Sequence, residues 1–376
     1  MEEAANRWIP VLREQERADV VVGLLHAGVE ECAGLAGLVP GFDLIIYGHD
    51  HLSGISRVAD ADGDSLWLAS PGPYAASALV ADISLDFTQS DSPEPVISVR
   101  VEDLTGLEPD RKFLDRLSDR WTDVCAYADS VAGSLETPLD ARGSLWRTTS
   151  ALDYLHSFQM DFQGAEVSLI SCVQDTMTIG AGPVAIRDFF RIYPFDNNMV
   201  SLMLKGSEIN SILEYSTDRY YNTYGDGDGL LKLTGADGGA HPEEPANRFL
   251  TAAGIRYTVN VTRPYGSRVT IESMSDGTPF SMDRYYRTTV TSFLFGGTES
   301  VLQPATGLSG SELQRRLNVS SRTDLKYYMI SQASLCREQG HPVRIPHLTD
   351  WKLVPHEIAS GALAQDTVRL DYEQLF

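Results

Sequence analysis

The stretch Asp43-Leu44-Ile45-Ile46-Tyr47-Gly48-His49-Asp50-His51 decides the fold of the first part of this chain. A short apolar run of this kind is typical of a buried strand, and the glycine after it lets the backbone turn sharply into a loop. His49 and His51 stand two residues apart, and alternate residues of an extended segment project to the same side. Because neutral imidazole is the commonest metal ligand, the pair predicts a metal site at a strand end.

A second stretch repeats this design upstream. Ala18-Asp19-Val20-Val21-Val22-Gly23-Leu24-Leu25-His26-Ala27-Gly28 is another apolar run that closes with His and Gly. We therefore predict that His26, His49 and His51 ligate divalent metal ions at the ends of neighbouring strands. The alternative is that they are loop histidines held by backbone hydrogen bonds, which is the usual situation of a lone histidine.

These two motifs also resemble a known family. Leu25-His26-Ala27-Gly28 and Tyr47-Gly48-His49-Asp50-His51 look like the last two metal-binding motifs of the calcineurin-like metallophosphoesterases, in the branch of 5′-nucleotidases and 2′,3′-cyclic-nucleotide 2′-phosphodiesterases/3′-nucleotidases. Leu68-Ala69-Ser70-Pro71-Gly72-Pro73-Tyr74 is similar to the segment that follows in the cyclic-phosphodiesterase group. The resemblance runs through most of the chain and implies metal-dependent hydrolysis of nucleoside phosphoesters in nucleotide catabolism, with a dinuclear centre of ions such as Zn²⁺ or Mn²⁺.

Composition narrows the range of partners. The chain has 376 residues, 43% of them hydrophobic, which predicts a large core and about two domains. Its 30 Lys and Arg against 52 Asp and Glu give a net charge of −22, which disfavours long nucleic acid. A nucleotide or nucleoside remains compatible as substrate, because bound divalent cations invert the local potential.

Cysteine usage and hydropathy add further expectations. The four cysteines are far apart and show no Cys-x-x-Cys spacing, so we expect buried thiols and neither a zinc knuckle nor a disulfide framework. No apolar run reaches about eighteen residues, so no membrane span is predicted. The N-terminus is an acidic amphipathic segment and not a secretion signal, whereas the resemblance implies a periplasmic or cell-surface location.

The chain is predicted to have three parts. By resemblance, residues 1–105 are the C-terminal part of an α/β layered metallophosphoesterase-like domain, 106–135 a linker helix, and 136–376 an α+β 5′-nucleotidase C-terminal domain. Apolar residues spaced by three and four predict a helix over 109–127, which the spacing alone assigns as an ordinary packed helix. An apolar stripe predicts that a helix over 4–17 packs on the first strand, and the composition of 225–247 indicates a mobile surface insertion.

The second domain carries the predicted substrate site. Phe195 in Pro194-Phe195-Asp196-Asn197 and Phe293 in Thr291-Ser292-Phe293 match, by resemblance, the two aromatic residues that sandwich a nucleobase. Asn197 is assigned to substrate binding with them. The pattern alone favours core positions for both rings. His156, in a predicted helix, is expected to be structural because no ligand-type residue stands at i+3 or i+4.

Several family motifs are missing. Two-metal hydrolysis needs ions about 3.5–4 Å apart. The family completes its site with Asp-x-His, Gly-Asp and Gly-Asn-His-Asp/Glu motifs, which this chain lacks. By resemblance, His26 and His49 would ligate one ion and His51 the other. The bridging Asp, the ligand Asn and the catalytic His have no counterpart, so no catalytic residue is assigned.

Two hypotheses therefore compete. One is a phosphohydrolase whose first half-domain is encoded upstream or lies elsewhere, so that this chain alone has little activity. The other is a non-catalytic nucleoside-binding or surface-interaction remnant. The glycine-rich Asn-Gly-Gly-Gly-Ile-Arg signature of the 5′-nucleotidase group is absent, and Ser171-Cys172-Val173-Gln174-Asp175 stands in that region. The cyclic-phosphodiesterase group fits better.

Overall fold

The computed structural model describes residues 1–88, 93–171, 173–225, 229–234, 240–296 and 301–370 of the chain. They form two compact units, Met1–Leu117 and Ser118–Phe376. Both units mix helices and strands. Within the described residues, no helix is both long enough and apolar enough to cross a membrane.

The first unit is a small layered α/β structure. Its helices are α1 (Glu2–Pro10), continued by a π-helical turn (Val11–Gln15), α2 (Val29–Leu38) and the start of α3 (Arg111–Asp129). Its strands are β1 (Val22–Leu25), β2 (Leu44–Tyr47), β3 (Ser53–Ala59), β4 (Ser65–Pro71), β5 (Ser77–Ser84) and β6 (Val96–Asp103).

The two predicted strands are present in this unit, and the structure adds a helix, α2, between them. Strand β1 pairs in parallel with β2, and β2 pairs in parallel with β4, in a sheet of order β1-β2-β4-β3. Helix α2 connects β1 to β2 and packs its buried Cys32 against the fully buried Ile45 and Leu68. The carboxyl ends of β1 and β2 therefore meet at one edge of the sheet, which is where α/β folds place ligands.

The predicted packing of the first helix on the first strand is confirmed in part, whereas that of the helix over 109–127 is wrong. In α1, Ala5 and Ile9 join an apolar cluster that includes Leu25 of β1, while Trp8 is 53% exposed. Only part of the predicted apolar stripe therefore covers the strand. Helix α3 has no buried residue, and its Trp121 is 69% exposed. Apolar spacing therefore predicts the α3 helix correctly but not a surface that covers it.

The second unit contains most of the secondary structure. Its helices are α4 (Ser150–Asp161), α5 (Ile186–Ile192), α6 (Gly206–Tyr220), α7 (Ser292–Gly296), α8 (Leu302–Thr306), α9 (Gly310–Arg316), α10 (Leu325–Glu338) and α11 (His356–Arg369). Its strands are β7 (Val131–Leu135), β8 (Leu139–Asp140), β9 (Val167–Ser171), β10 (Thr178–Ile179), β11 (Gly182–Ala185), β12 (Asn198–Lys205), β13 (Leu233–Thr234), β14 (His241–Pro242), β15 (Leu250–Ala253), β16 (Ile255–Asn260), β17 (Val269–Met274), β18 (Tyr285–Thr291), β19 (Leu317–Asp324) and β20 (Asp350–Val354).

A five-stranded sheet of order β15-β9-β18-β12-β19 lies at the centre of this unit. Strands β9 and β18 run parallel, and the other neighbours run antiparallel. Successive residues of a strand point to opposite faces. Leu169 accordingly joins the larger apolar cluster and Ile170 the smaller one, so apolar residues cover both faces of the sheet.

The expected mobile insertion at 225–247 is wrong for the part that the structure describes. Leu230 is 0% and Leu231 1% exposed, and the backbone amides of both donate to Asp366 of α11, at 2.7 and 2.8 Å. Two adjacent leucines inside a polar segment bury enough apolar surface to anchor it to the core. Residues 226–228 and 235–239 of this prediction lie outside the described part of the chain.

Candidate functional sites

Two of the three predicted metal ligands lie together. In the register of the parallel pair, Leu25 at the end of β1 stands opposite Tyr47 at the end of β2, so His26 and His49 follow at the same edge. The His26 Nε2 and His49 Nδ1 atoms are 3.1 Å apart. Their rings meet edge to face, with centroids 4.9 Å apart. Tertiary structure thus pairs histidines 23 positions apart in sequence.

The third predicted ligand, His51, does not lie in an extended segment with His49. Its φ of 57° is left-handed, which breaks the alternation that would put it on the same side as His49. The His51 ring contacts Tyr74 instead, with centroids 5.4 Å apart. Within the described ranges, no three His, Cys, Asp or Glu side chains are arranged to hold a metal ion.

Asp50 explains the shape of this loop. Its Oδ2 accepts a hydrogen bond of 3.0 Å from the backbone amide of Val29, the first residue of α2. A carboxylate at a helix N-terminus satisfies an amide that has no partner inside the helix and is favoured by the helix dipole. Asp50 therefore ties the loop after β2 to α2, and the sequence had indicated no role for it.

The spacing of the paired histidines is compatible with one divalent ion. Two nitrogen ligands that each lie about 2.0–2.1 Å from a tetrahedral zinc ion stand about 3.3 Å from each other. The observed separation of 3.1 Å is close to that value and is also an ordinary hydrogen-bond distance. His26 Nε2 and His49 Nδ1 could therefore act as two ligands of one ion, which would need further ligands to be held tightly.

The second candidate site lies at one edge of the five-stranded sheet. Strands β9 and β18 end there, and β12 and β15 begin there. A cavity of about 190 Å³ opens at this edge. It is lined by Ser171, Val173, Tyr193, Phe195, Asp196, Asn197, Asn247, Thr291 and Phe293. The structure thus brings the three predicted substrate residues, Phe195, Asn197 and Phe293, around one cavity.

The two phenylalanines come from different local structures. Phe195 lies on the turn between α5 and β12 and is 44% exposed. The buried Tyr193 supports it, with ring centroids 6.2 Å apart in an edge-to-face arrangement. Phe293 lies in α7, directly after β18, and is half-buried against the larger apolar cluster. Each ring therefore has a supported side and a side that lines the cavity.

Asn197 connects the two phenylalanine-bearing segments. Its Nδ2 donates to the Tyr193 hydroxyl at 2.9 Å, and its Oδ1 accepts from the Ser292 hydroxyl at 3.3 Å. Burial raises the pKa of Tyr193 to about 12, so this hydroxyl stays neutral and available for hydrogen bonding. The Asn197 carboxamide thus holds the Phe195 turn against the residue before Phe293, a role that only the structure reveals.

Lys326 is a further residue of this site that sequence reasoning missed. It is the second residue of α10, yet its side chain is only 6% exposed. Its Nζ donates to the Pro194 carbonyl at 2.9 Å and to the Asp196 carboxylate. Lysine is almost never buried without a partner, and no sequence signal distinguishes this one from a surface lysine.

The size and lining of the cavity limit what it can bind. A volume of about 190 Å³ lies below the roughly 300–1,000 Å³ of pockets that enclose a drug-sized ligand. Aromatic rings on its wall favour a flat ring as ligand, and the polar atoms beside them can contact its edge. The cavity therefore suits one planar ring of a ligand whose remainder lies outside it.

Comparison with known proteins shows that this cavity lies in a segment similar to a known domain. Residues 130–305 match the family described as 5′-nucleotidase, C-terminal domain. Every residue that lines the cavity lies within this range. This segment is therefore similar to the 5′-nucleotidase C-terminal domain over its matched length.

Two curated relatives extend the similarity beyond that segment. The chain is 23% identical over 309 residues to the trifunctional nucleotide phosphoesterase protein YfkN of Bacillus subtilis, which covers 78% of this chain and 19% of the relative. It is 25% identical over 209 residues to the uncharacterized metallophosphoesterase YunD of Bacillus subtilis, with 55% and 43% coverage. The chain thus spans about a fifth and under half of the length of these relatives.

A solved structure shares the fold. The crystal structure of a putative 5′-nucleotidase from Staphylococcus aureus in complex with α-ketoglutarate matches with a TM-score of 0.63 at 16% identity. The match covers 94% of this chain and 67% of that one. At this identity the likeness concerns the fold, which is the mixed α/β fold seen in 5′-nucleotidase structures.

Proposed function

We propose that this chain is part of a metal-dependent hydrolase of nucleoside phosphoesters, of the 2′,3′-cyclic-nucleotide phosphodiesterase and 3′- or 5′-nucleotidase type. The observation that carries the proposal is that Phe195 and Phe293, chosen from separate motifs, line one cavity in the segment that matches the 5′-nucleotidase C-terminal domain. In this proposal the second unit binds the base of the substrate. The activity lies in nucleotide catabolism, in the periplasm or at the cell surface.

The base-binding step follows from the cavity lining. A nucleobase that stacks on an aromatic ring gains about 1–3 kcal/mol per stacked face, whatever its hydrogen-bonding pattern. Phe195 and Phe293 would supply such faces, and Asn197 would hold their segments together. Stacking acts equally on substrate and transition state, so it lowers the KM of a nucleotide without raising kcat.

The hydrolytic step is assigned to the first unit. His26 and His49 would hold a divalent ion, with His51 as the third metal-binding residue of the proposal. Such ions, when bound, polarise a phosphoryl oxygen and lower the pKa of a coordinated water. The bridging carboxylate and the general acid would come from a half-domain that this chain does not include.

Strand β1 is incompletely covered, which supports the proposal that a further half-domain packs against it. The strand lies at the edge of its sheet, with Leu24 81% and Val22 41% exposed. Parallel strands are normally covered on both faces and paired inside a sheet. The putative 5′-nucleotidase of known structure is also longer than the matched region, since the match covers 67% of it. We propose that the missing half-domain packs at this edge.

The second candidate function is a nucleoside-binding remnant without catalysis. It is favoured by the position of His51, which contacts Tyr74 while His26 and His49 contact each other. On this hypothesis the cavity of the second unit would still bind nucleosides. Hydrolysis would be absent even when the missing half-domain is supplied.

A nucleoside titration tests the base-binding part. Adenosine is titrated by calorimetry into the wild-type chain, Phe195→Ala, Phe293→Ala and the control Phe113→Ala, which removes a ring that is 51% exposed on α3. Loss of one stacking face predicts a Kd raised by about tenfold or more in each cavity variant and unchanged in the control. An equal Kd in all four proteins would remove the base-binding assignment.

An activity assay tests the hydrolytic part. The chain is incubated with Mn²⁺, Zn²⁺ or Co²⁺ and with 2′,3′-cyclic AMP, 3′-AMP or 5′-AMP, alone and with a half-domain that carries the missing motifs. We expect turnover only in the second case, and its loss in His49→Ala. Robust turnover by the chain alone would contradict the division between two half-domains, and no turnover in either case would favour the remnant.

A further inference from the structure

The turn that carries Phe195 is held in place by residues that are distant from it in the sequence. Phe195 itself is 44% exposed, so its own packing contributes little to its position. The residues on both sides of it are held by the start of α10. The backbone amide of Leu325 donates to the Asn197 carbonyl at 2.9 Å, and Lys326 donates to the Pro194 carbonyl and the Asp196 carboxylate.

Lys326 makes most of these contacts with the turn. Its ammonium group lies 4.9 Å from the centre of the Phe190 ring on α5, so it contacts the helix that precedes the turn as well as the turn itself. Its side chain is 6% exposed, whereas that of Asp196 is 86% exposed. A buried ammonium group must keep its acceptors, because losing them would leave an uncompensated charge. Lys326 therefore holds the backbone immediately before Phe195 and the side chain of the residue after it.

The element that carries Lys326 is itself fixed to the sheet. Helix α10 starts directly after β19, which pairs with β12, and Asp324 stands opposite Asn198 in that pairing. The Asp324 carboxylate caps the helix by accepting from the Tyr327 amide at 3.1 Å. Functional geometry is held best by regular elements with locked side chains. The sheet, α10 and Lys326 thus form a continuous support for the Phe195 turn.

We propose that Lys326 is a positioning residue of the base-binding cavity, because it sets the position and orientation of the Phe195 ring relative to the cavity. This inference rests on the proposed function of the cavity. Lys326 is not among the residues that line the cavity, so it would act on a bound base through the Phe195 turn. Without Lys326 the turn relaxes, and one stacking face is lost or displaced although Phe195 is still present.

A double-mutant cycle on nucleoside affinity tests the proposal. Adenosine Kd is measured by calorimetry for the wild-type chain, Lys326→Met, Phe195→Ala and the double variant. We expect Lys326→Met to raise Kd roughly tenfold, as the loss of one stacking face would, and the double variant to bind no more weakly than Phe195→Ala alone. A general loss of structure would instead weaken binding further in the Phe195→Ala background.

Two further variants complete the experiment. Lys326→Arg keeps the charge and the donors, so its Kd should return to within about threefold of the wild type. Lys205→Met is the matched control, because it removes a partly exposed lysine whose Nζ is 3.3 Å from Asp283, and it should leave Kd unchanged. If Lys326→Met does not fold, Lys326→Gln, which keeps a neutral donor, takes its place in the cycle.

The outcomes separate the inference from the proposed function. If Phe195→Ala leaves Kd unchanged, base stacking is absent and both ideas fail. If Phe195→Ala weakens binding but Lys326→Met does not, only the positioning role fails. Additive effects of the two substitutions would also overturn it, since Lys326 would then act independently of the Phe195 ring.

Discussion

The buried His156 predicts a measurable sensitivity of the second unit to acid. It lies in α4 with 0% exposure, its Nδ1 is 2.8 Å from the Ser168 hydroxyl, and its Nε2 is 3.0 Å from the Thr251 hydroxyl. The expectation that it is structural is confirmed. Burial lowers the pKa of His156 from 6.5 to about 3, although the nearby Asp153 acts in the opposite direction.

The size of the effect follows from proton linkage. At pH 4 the folded chain keeps His156 neutral, whereas in the unfolded chain the same side chain takes up a proton at its ordinary pKa of 6.5. The unfolded state binds more protons below that pH, so stability falls as the pH falls. Between pH 7 and pH 4 this single group removes about 3 kcal/mol from the free energy of unfolding. The loss starts near pH 6.5 and levels off below about pH 3.

Urea unfolding followed by far-ultraviolet circular dichroism measures this loss at pH 7, 5.5 and 4. His156→Gln should be less stable than the wild type at pH 7, because it disturbs two buried hydrogen bonds, yet it should lose about 3 kcal/mol less on going to pH 4. His341→Gln, at an exposed position, is the control and should follow the wild type. Equal pH dependence of His156→Gln and wild type would refute the reasoning.

Two further predictions concern a glycine that has no room for a side chain and a buried thiol. Gly254 has a φ of +89°, and an added Cβ would lie 2.1 Å from the Glu166 carbonyl oxygen, so Gly254→Ala should cost more than about 2 kcal/mol of unfolding free energy. Gly277→Ala, with φ +86° and open space around it, should cost only about 1 kcal/mol in the same urea titration, and equal costs would contradict the steric argument. Burial raises the pKa of the Cys32 thiol to about 11, so iodoacetamide at pH 8 should modify the partly exposed Cys125 in the folded chain well before Cys32. Peptide mass spectrometry reads the order, and faster labelling of Cys32 would show that α2 opens readily.

The sequence determined the elements whose signals are local. Apolar runs closed by glycine predicted β1 and β2 as neighbouring strands, and helical spacing predicted α3 and the helix α4 that contains His156. These features follow from periodicity along a few consecutive residues, so they need no knowledge of the rest of the chain. The expectation that the cysteine thiols are buried is confirmed for Cys32. Cys125 and Cys336 are partly exposed, and Cys172 lies outside the described residues.

Only the tertiary structure decided how distant residues meet. The left-handed backbone at His51 turned its ring to Tyr74, which no alternation rule could foresee. Lys326 stands 132 positions from Pro194, and Asn197 stands 95 from Ser292, yet these contacts shape the wall of the cavity. Such contacts depend on the packing of whole elements around a sheet, whereas sequence periodicity reports only which face of each element is apolar.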